Sequence, residues 1–253
     1  MIKAEIFCIF FSCMIVCCAR NVSQINFTES AVESDKVESS NSAGSVDVSP
    51  FNKNILGILQ TDPYLWILVD KEHPLAADYE PDGLVELKGG SYTAGRSGLM
   101  LRKPAAEALE EMAYAAKAQG LTLAASSAYR SYSYQAQVYD RNVKQMGQAA
   151  ADRESARAGR SQHQLGLVVD FGSITDAFAK TPEGAWLAAN ASRFGWSLSY
   201  PEGYEEVTGY RWECWHYRYV GKELAEFIDT YFDGIQQYAL QFLNEYASAE
   251  DRH

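Results

Sequence analysis

The sequence predicts an α+β fold, in which helices and short strands interleave without the strict alternation of a doubly wound sheet. Two observations support this prediction. The stretch that follows Pro104 has the apolar stripe of an amphipathic helix, and short runs of strand formers such as Leu167–Val169 stand between helical segments. We expect one folded domain over residues 51–253, preceded by two segments of different character.

The first segment, residues 1–18, is typical of a secretory signal peptide. Lys3 precedes an apolar run, Ile6–Val16, which is shorter than the roughly 20 residues needed to span a bilayer. Ile15–Cys18 also resembles a loose bacterial lipobox, in which Cys18 would carry the lipid. We therefore expect an exported protein, periplasmic or at the cell surface. Either simple secretion or a lipid anchor at Cys18 would account for the pattern, and only the anchor would bring membrane contact.

The second segment, residues 19–50, is rich in Ser, Asn, Glu and Val and shows no helical or strand period. Such low hydrophobicity cannot offset the entropy of ordering, so this stretch is predicted to be a disordered tether. The net charge of the whole chain is -11, and this sign argues against nucleic acid as a partner. Beyond the leader the only cysteine is Cys214, so the fold must rest on an ordinary apolar core.

Each element of the domain follows from local pattern. Leu65–Val69 reads as a buried strand that ends at Asp70, and glycines at 89, 90, 95 and 98 indicate a loop. Further segments are predicted as helices beginning at Pro104, near Ser131 or Ser133, at Gln148 and at Thr181–Pro182, as strands Leu121–Ala125 and Trp196–Tyr200, and as one long amphipathic helix Lys222–Tyr246.

Two of the chain's four histidines, His163 and His216, lie near carboxylate residues in the sequence and so indicate a metal site. His163 and Asp170 are seven residues apart. That spacing separates them by roughly 23 Å on a strand and by roughly 10 Å on a helix. A shared ion therefore requires a sharp turn between them, and Gly166 is suited to form it. Asp170 also follows an apolar run, where a buried carboxylate needs a charged partner.

Glu213 and His216 are three residues apart and point the same way on a helical or turn-like segment. Two histidines and one carboxylate can hold zinc with its fourth position open to water. Glu213 could be a fourth ligand, but the need for an open position favours a role as general base. Taken singly, each of these residues could instead be a hydrogen-bonded core or cap residue. Together they predict a zinc hydrolase.

Arg130 follows the predicted strand 121–125, and Gln135 stands about one helical turn later. Arginine binds a carboxylate through two parallel hydrogen bonds, which suits recognition of a peptide C-terminus. A surface salt bridge is the alternative role for Arg130. Gln135 could add an amide contact to the same ligand.

The motifs Ser161–Asp170 and Glu213–His216, in this order and with Tyr129–Ser131 before them, resemble the VanY-type zinc D-alanyl-D-alanine carboxypeptidases. This family shares its fold with the Hedgehog signalling domain. The resemblance implies a small antiparallel sheet with flanking helices around the zinc site. Three positions depart from the family's pattern: Gln162 stands where Glu is common, Ala128 where Gly is, and Cys214 where Pro is. None of these removes a ligand.

By this resemblance, each candidate residue has an expected role. The zinc ligands are His163, Asp170 and His216, the base is Glu213, and the substrate contacts are Arg130, Gln135 and Ser161. The implied partner is a peptidoglycan stem peptide, from which a monomeric enzyme would remove the C-terminal D-alanine. The alternatives are an L,D-carboxypeptidase or endopeptidase acting on the same peptides, or a zinc-containing cell-wall binding module without turnover.

Overall fold

The computed structural model describes residues 50–250, which lie within one compact unit. The predicted signal peptide, residues 1–18, lies outside the described residues, as does the predicted tether up to residue 49. Both stay predictions. Within residues 50–250, none of the helices combines the length and the apolar character that crossing a bilayer requires.

Helices and strands interleave irregularly along the chain, as the α+β class requires. The helices are α1 Pro50–Leu59, α2 Pro63–Trp66, α3 Lys103–Lys117, α4 Tyr132–Met146, α5 Gln148–Glu154, α6 Pro182–Asn190, α7 Glu205–Thr208, α8 Lys222–Tyr231 and α9 Gln236–Glu250. The strands are β1 Leu84–Glu86, β2 Thr93–Ala94, β3 Met100–Arg102, β4 Ala124–Ser127, β5 Val168–Phe171, β6 Trp196–Leu198 and β7 His216–Tyr219. Short 3₁₀ turns lie at Gln162–Leu165, Asp176–Lys180 and Ala191–Phe194.

The strands of the described part form a large sheet in the order β2-β4-β5-β7-β6 and a separate antiparallel pair, β1 and β3. All neighbours in the large sheet are antiparallel except β2 and β4. In the centre, Asp170 on β5 lies opposite His216 on β7 and opposite Ser127 on β4. The predicted α+β class is thus confirmed, with a mixed rather than a purely antiparallel large sheet.

The main apolar core includes Val169 and Phe171 of β5, all four residues of which are buried. One cluster packs Leu109 and Met112 of α3 near Val169 and Phe171 of the central strand. A second cluster joins α1, α8 and α9. Burial of β5 holds Asp170 in close-packed surroundings.

Several predicted elements are confirmed, with shifted ends. Helix α3 contains Pro104 in its first turn, and α4 begins after Ser131, whose hydroxyl accepts a hydrogen bond from the Tyr134 N–H at 3.2 Å. The helix predicted to begin at Gln148 does begin there and ends at Glu154. The strand predicted at 121–125 lies at 124–127, and β6 ends at Leu198.

The strand predicted at Leu65–Val69 is wrong. Pro63–Trp66 is a single helical turn, because Asp62 caps it by accepting from the Tyr64 N–H at 3.0 Å. The carbonyls of this segment bind a buried arginine rather than a neighbouring strand. Arg218 donates from Nη2 to the carbonyls of residues 64, 65 and 67 at 3.0, 3.2 and 2.9 Å. Apolar composition alone could not distinguish this arrangement from a strand.

The single long helix predicted at Lys222–Tyr246 is also wrong, because two helices occupy this stretch. Helix α8 ends at Tyr231, and Asp233 and Gly234 both adopt positive φ, 51° and 76°. That conformation ends an α-helix. The break sets α9 in a new direction, with Gln236 as its first residue.

Candidate metal centre

The turn predicted at Gly166 is present and brings His163 next to Asp170. A 3₁₀ turn, Gln162–Leu165, ends at Gly166 with φ 68° and ψ 21°, after which the chain enters β5. A Cβ on Gly166 would lie 3.0 Å from the side chain of Leu84. The reversal leaves His163 Nε2 only 3.1 Å from Asp170 Oδ2.

His216 reaches the same point from the neighbouring strand. Its Nδ1 lies 3.1 Å from Asp170 Oδ1, and its ring stands nearly perpendicular to that of His163, with centroids 4.9 Å apart. One ligand atom from each of the three residues lies within 4.8 Å of the others, and all three residues are buried. Cys214 is not part of this group; its Sγ lies 3.6 Å from the carbonyl of Thr175.

The three residues suit a zinc ion. His163 Nε2 and Asp170 Oδ1 are buried without a hydrogen-bond partner among the described residues, although each has a site neighbour at 3.1 Å. A bound cation would satisfy both atoms. Two imidazole nitrogens and one carboxylate oxygen also match the ligands of a catalytic zinc site.

The protonation states are those that metal binding needs. Burial, helped by the Arg130 charge, lowers the pKa of His163 to about 4, so its ring is neutral at neutral pH. Burial by itself would raise the pKa of Asp170, but the adjacent His163 and His216 outweigh it and hold that pKa well below its usual value. His163 Nδ1 lies 2.6 Å from the carbonyl of Ala128, which directs Nε2 towards the site.

Glu213 stands beside this group at the start of a turn that His216 closes, since the His216 N–H donates to the Glu213 carbonyl at 3.1 Å. Its Oε2 lies 3.4 Å from His216 Nδ1. Burial, together with the Asp170 carboxylate, raises the pKa of Glu213 well above its usual value. A carboxyl group with a raised pKa can carry a proton at neutral pH, as an acid–base catalyst must.

The predicted substrate contacts are arranged around the same cleft, which has a volume of about 390 Å³. Arg130 Nη2 lies 4.0 Å from Asp170 Oδ2, and its Nε is buried without a hydrogen-bond partner within the described part of the chain. Gln135 donates from Nε2 to the carbonyl of Ala156 at 2.6 Å, which leaves its Oε1 unpartnered among residues 50–250. Ser161 accepts from the His163 N–H at 3.3 Å.

All seven candidate residues therefore line one cleft, although they come from three separate stretches of sequence. Their roles stay predictions. The structure adds cleft residues that the sequence reasoning did not single out for a role. They include Arg96, Arg141, Tyr200, Tyr210 and Arg211. Tyr200 packs its ring 4.7 Å from that of His216, but a lone tyrosine in a sequence gives no signal of such a contact.

Comparison with known proteins agrees with this site. The sequence profile of the VanY family, described as D-alanyl-D-alanine carboxypeptidase, matches residues 98–222. YodJ of Bacillus subtilis strain 168 is 35% identical, over 83% of each chain. The D-alanyl-D-alanine carboxypeptidase of Enterococcus faecalis is 33% identical, over 76% of this chain and 69% of its own length.

Solved structures give the same result. The LdcB LD-carboxypeptidase is 36% identical with a TM-score of 0.62, covering 70% of this chain and 86% of its own. The vancomycin-resistance D,D-pentapeptidase VanY, solved with Zn(II), is 31% identical with a TM-score of 0.59, covering 70% of this chain and 99% of its own. The chain belongs to the VanY family of D-alanyl-D-alanine carboxypeptidases and is a zinc metallo-carboxypeptidase.

Proposed function

We propose that this protein removes the C-terminal D-alanine from D-alanyl-D-alanine-terminated peptidoglycan stem peptides. The observation that supports the proposal is the position of Arg130, a cation in the cleft that also holds the His-Asp-His group and Glu213. A carboxypeptidase has to bind a free carboxylate beside the bond that it cuts. Arginine does this through a bidentate pair of hydrogen bonds.

The proposed roles of the chain's own residues follow from their positions. His163, Asp170 and His216 hold the zinc ion, which when bound supplies a Lewis acid that acidifies water and polarises the scissile carbonyl. Glu213 takes a proton from the attacking water as a carboxylate and returns it to the leaving amine. Burial raises its pKa and so makes that carboxylate a stronger base.

The other cleft residues hold the substrate and keep the site dry. Arg130 binds the terminal carboxylate and adds positive charge where the carbonyl oxygen becomes negative. The free Oε1 of Gln135 accepts a hydrogen bond from a peptide N–H. The ring of Tyr200, packed against His216, limits the access of bulk water and so strengthens these electrostatic interactions.

A second candidate is an L,D-carboxypeptidase, which is favoured by the 36% identity to LdcB. Both reactions use the same metal and base, so they differ only in the residue that precedes the bond cut. An endopeptidase fits less well, because its substrate has no free carboxylate beside the bond cut for Arg130 to bind.

The experiment that separates these candidates incubates the purified protein with a stem pentapeptide ending in D-alanyl-D-alanine and, separately, with the tetrapeptide that lacks the last residue. Mass spectrometry and a D-alanine assay follow each product. Release from the pentapeptide alone supports the D,D assignment, and release from the tetrapeptide alone supports the L,D assignment. Activity that survives both zinc chelation and Glu213→Ala would contradict the mechanism.

The cellular context is part of the proposal. We infer export through the segment at residues 1–18, with Cys18 as a lipid anchor, and action as a monomer on the cell wall. Growth with a radioactive fatty acid tests the anchor. Label on the wild type that disappears in Cys18→Ser supports it, whereas an unlabelled wild type indicates simple secretion.

A further inference from the structure

The ring of His216 has different partners on its two nitrogens. Nδ1 faces Asp170 at 3.1 Å, on the metal side. Nε2 faces away from that group and lies 3.4 Å from Oε1 of Gln162. An amide oxygen can only accept, so this contact calls for a proton on Nε2. That tautomer leaves the Nδ1 lone pair free for a metal ion.

Gln162 is itself held by a buried amide network, defined here as Gln162, Ser199 and Gln236. The hydroxyl of Ser199 donates to Gln162 Oε1 at 2.7 Å, and Gln162 Nε2 donates to Gln236 Oε1 at 3.4 Å. Gln236 Nε2 in turn donates to the carbonyl of Ser197 at 3.2 Å. Ser199 Oγ also lies 3.3 Å from Gln236 Oε1.

The direction of this network is set by its far end. A backbone carbonyl, that of Ser197, accepts only, so it fixes the amide of Gln236 with its oxygen towards Gln162. That oxygen requires a donor, which fixes the Gln162 amide with its own oxygen towards His216. Each member of the amide network is at most 2% exposed, so water does not compete for these bonds.

The amide at position 162 is matched to this arrangement. A glutamate would keep the acceptor that faces His216 but would offer no donor to Gln236 Oε1. Two acceptors would then face each other in a buried place, which destabilises the fold. The chain's Gln162 satisfies both neighbours at once.

Gln236 comes from a part of the chain that lies outside the family match, which ends at residue 222. It is the first residue of α9, set in place by the break at Asp233 and Gly234. Its neighbour Gln237 is also buried but donates to Asp70 at 2.8 Å, away from the amide network. Variants of the two glutamines can therefore distinguish an effect on the zinc site, through Gln236, from an effect on the anchoring of α9, through Gln237.

We propose that the amide network positions His216 as a zinc ligand, with Gln162 and Gln236 as positioning residues and α9 as their support. The inference rests on the zinc site and not on which peptide bond is cut. Zinc binding alone can therefore test it, whatever the outcome with stem peptides.

The test measures the zinc Kd of the full-length protein by competition with a chromophoric chelator. Loss of an outer partner of a zinc ligand typically weakens metal binding about 10- to 100-fold, and this is the expected effect of Gln162→Leu. Gln236→Leu acts through Gln162, so a smaller loss, roughly threefold to tenfold, is expected. Gln237→Leu is the matched control: it destabilises α9 but leaves the zinc Kd unchanged.

A conservative variant and a spectroscopic readout separate positioning from folding. Gln162→Glu keeps the acceptor for His216, so it should bind zinc at least as tightly as the wild type while unfolding at a lower urea concentration. Nitrogen-15 NMR of the zinc-bound wild type should show His216 protonated at Nε2 and metal-bound at Nδ1. Three results would each overturn the proposal. They are equal zinc affinities in Gln162→Leu and Gln237→Leu, a zinc affinity in Gln162→Glu as low as in Gln162→Leu, and a proton on Nδ1 of His216 in the zinc-bound wild type.

Discussion

Replacing Gly166 with alanine should weaken both the fold and zinc binding, because this residue forms the turn between two ligands. Its φ is +68°, in the left-handed region, where a side chain costs about 1–2 kcal/mol. A Cβ there would also lie 3.0 to 3.2 Å from the side chains of Leu84, Pro81 and Arg102. Overpacking of that kind costs a further 1–3 kcal/mol or so. We expect Gly166→Ala to lose about 2–5 kcal/mol of unfolding free energy.

Gly98 provides a matched control in the same backbone conformation. Its φ is +71°, but a Cβ there meets nothing within 4 Å among the described residues. Gly98→Ala should therefore lose only the conformational part, about 1–2 kcal/mol, and should bind zinc like the wild type.

The assay is urea unfolding with and without zinc, followed by chelator competition for the zinc Kd. Gly166→Ala should bind zinc more weakly, by about tenfold or more, because relief of the overlap displaces His163 relative to Asp170. Equal stability losses in the two variants would refute the argument from side-chain overlap. A wild-type zinc Kd in Gly166→Ala would refute the argument that this turn sets the ligand geometry.

Three further predictions follow from the site and its surroundings. Glu213→Gln should lower kcat by about 10²- to 10⁴-fold in a D-alanine release assay while the zinc Kd stays near wild type, and full activity would exclude Glu213 as the base. Arg130→Gln should raise KM for a free C-terminal carboxylate but not for the amidated peptide; equal effects on both would contradict carboxylate binding. Asp70 accepts hydrogen bonds from two backbone N–H groups and from the side chains of His73 and Gln237. Burial by itself would raise the pKa of Asp70, but these hydrogen bonds outweigh burial and lower it. The stability that they add is present above the unfolded pKa and is lost as pH falls through the lower folded pKa. Asp70→Asn should therefore lower the free energy of unfolding by about 1–3 kcal/mol at pH 7, as measured by urea unfolding. It should also reduce the loss of stability that the wild type shows as the pH falls into the acid range. An unchanged loss of stability at acid pH would disprove this role of Asp70.

The chemistry of the site could be predicted from the sequence because it depends on local features. The spacing of His163 and Asp170 excludes a straight helix or strand, and Gly166 is the residue that tolerates the required turn. Glu213 and His216 are close enough along the chain for one turn to align them. Helix starts at Ser131 and near Pro104 were equally local, since caps and proline act within one turn.

One error arose where a distant residue decided the structure, and the other arose at a local break in a helix. Leu65–Val69 has the composition of a strand, yet its carbonyls bind Arg218, which lies about 150 positions further along the chain. The break after Tyr231 interrupts a stretch whose composition suited one continuous helix. At Leu65–Val69 the tertiary environment overrode a local preference worth only a fraction of a kcal/mol per residue. The break after Tyr231 instead follows from the left-handed backbone of Asp233 and Gly234.

The sequence by itself therefore determined which side chains could bind zinc and move a proton, because their chemical type and their short spacing along the chain can be read without knowing the fold. Only the tertiary structure decided that these side chains meet. Pairing of β5 with β7 sets Asp170 opposite His216, and the cleft adds Arg130 and Gln135 from another part of the chain. The support of His216 by Gln162 and Gln236 joins residues 74 positions apart through buried hydrogen bonds. Such bonds form only once the core has closed around them, so no local pattern records them.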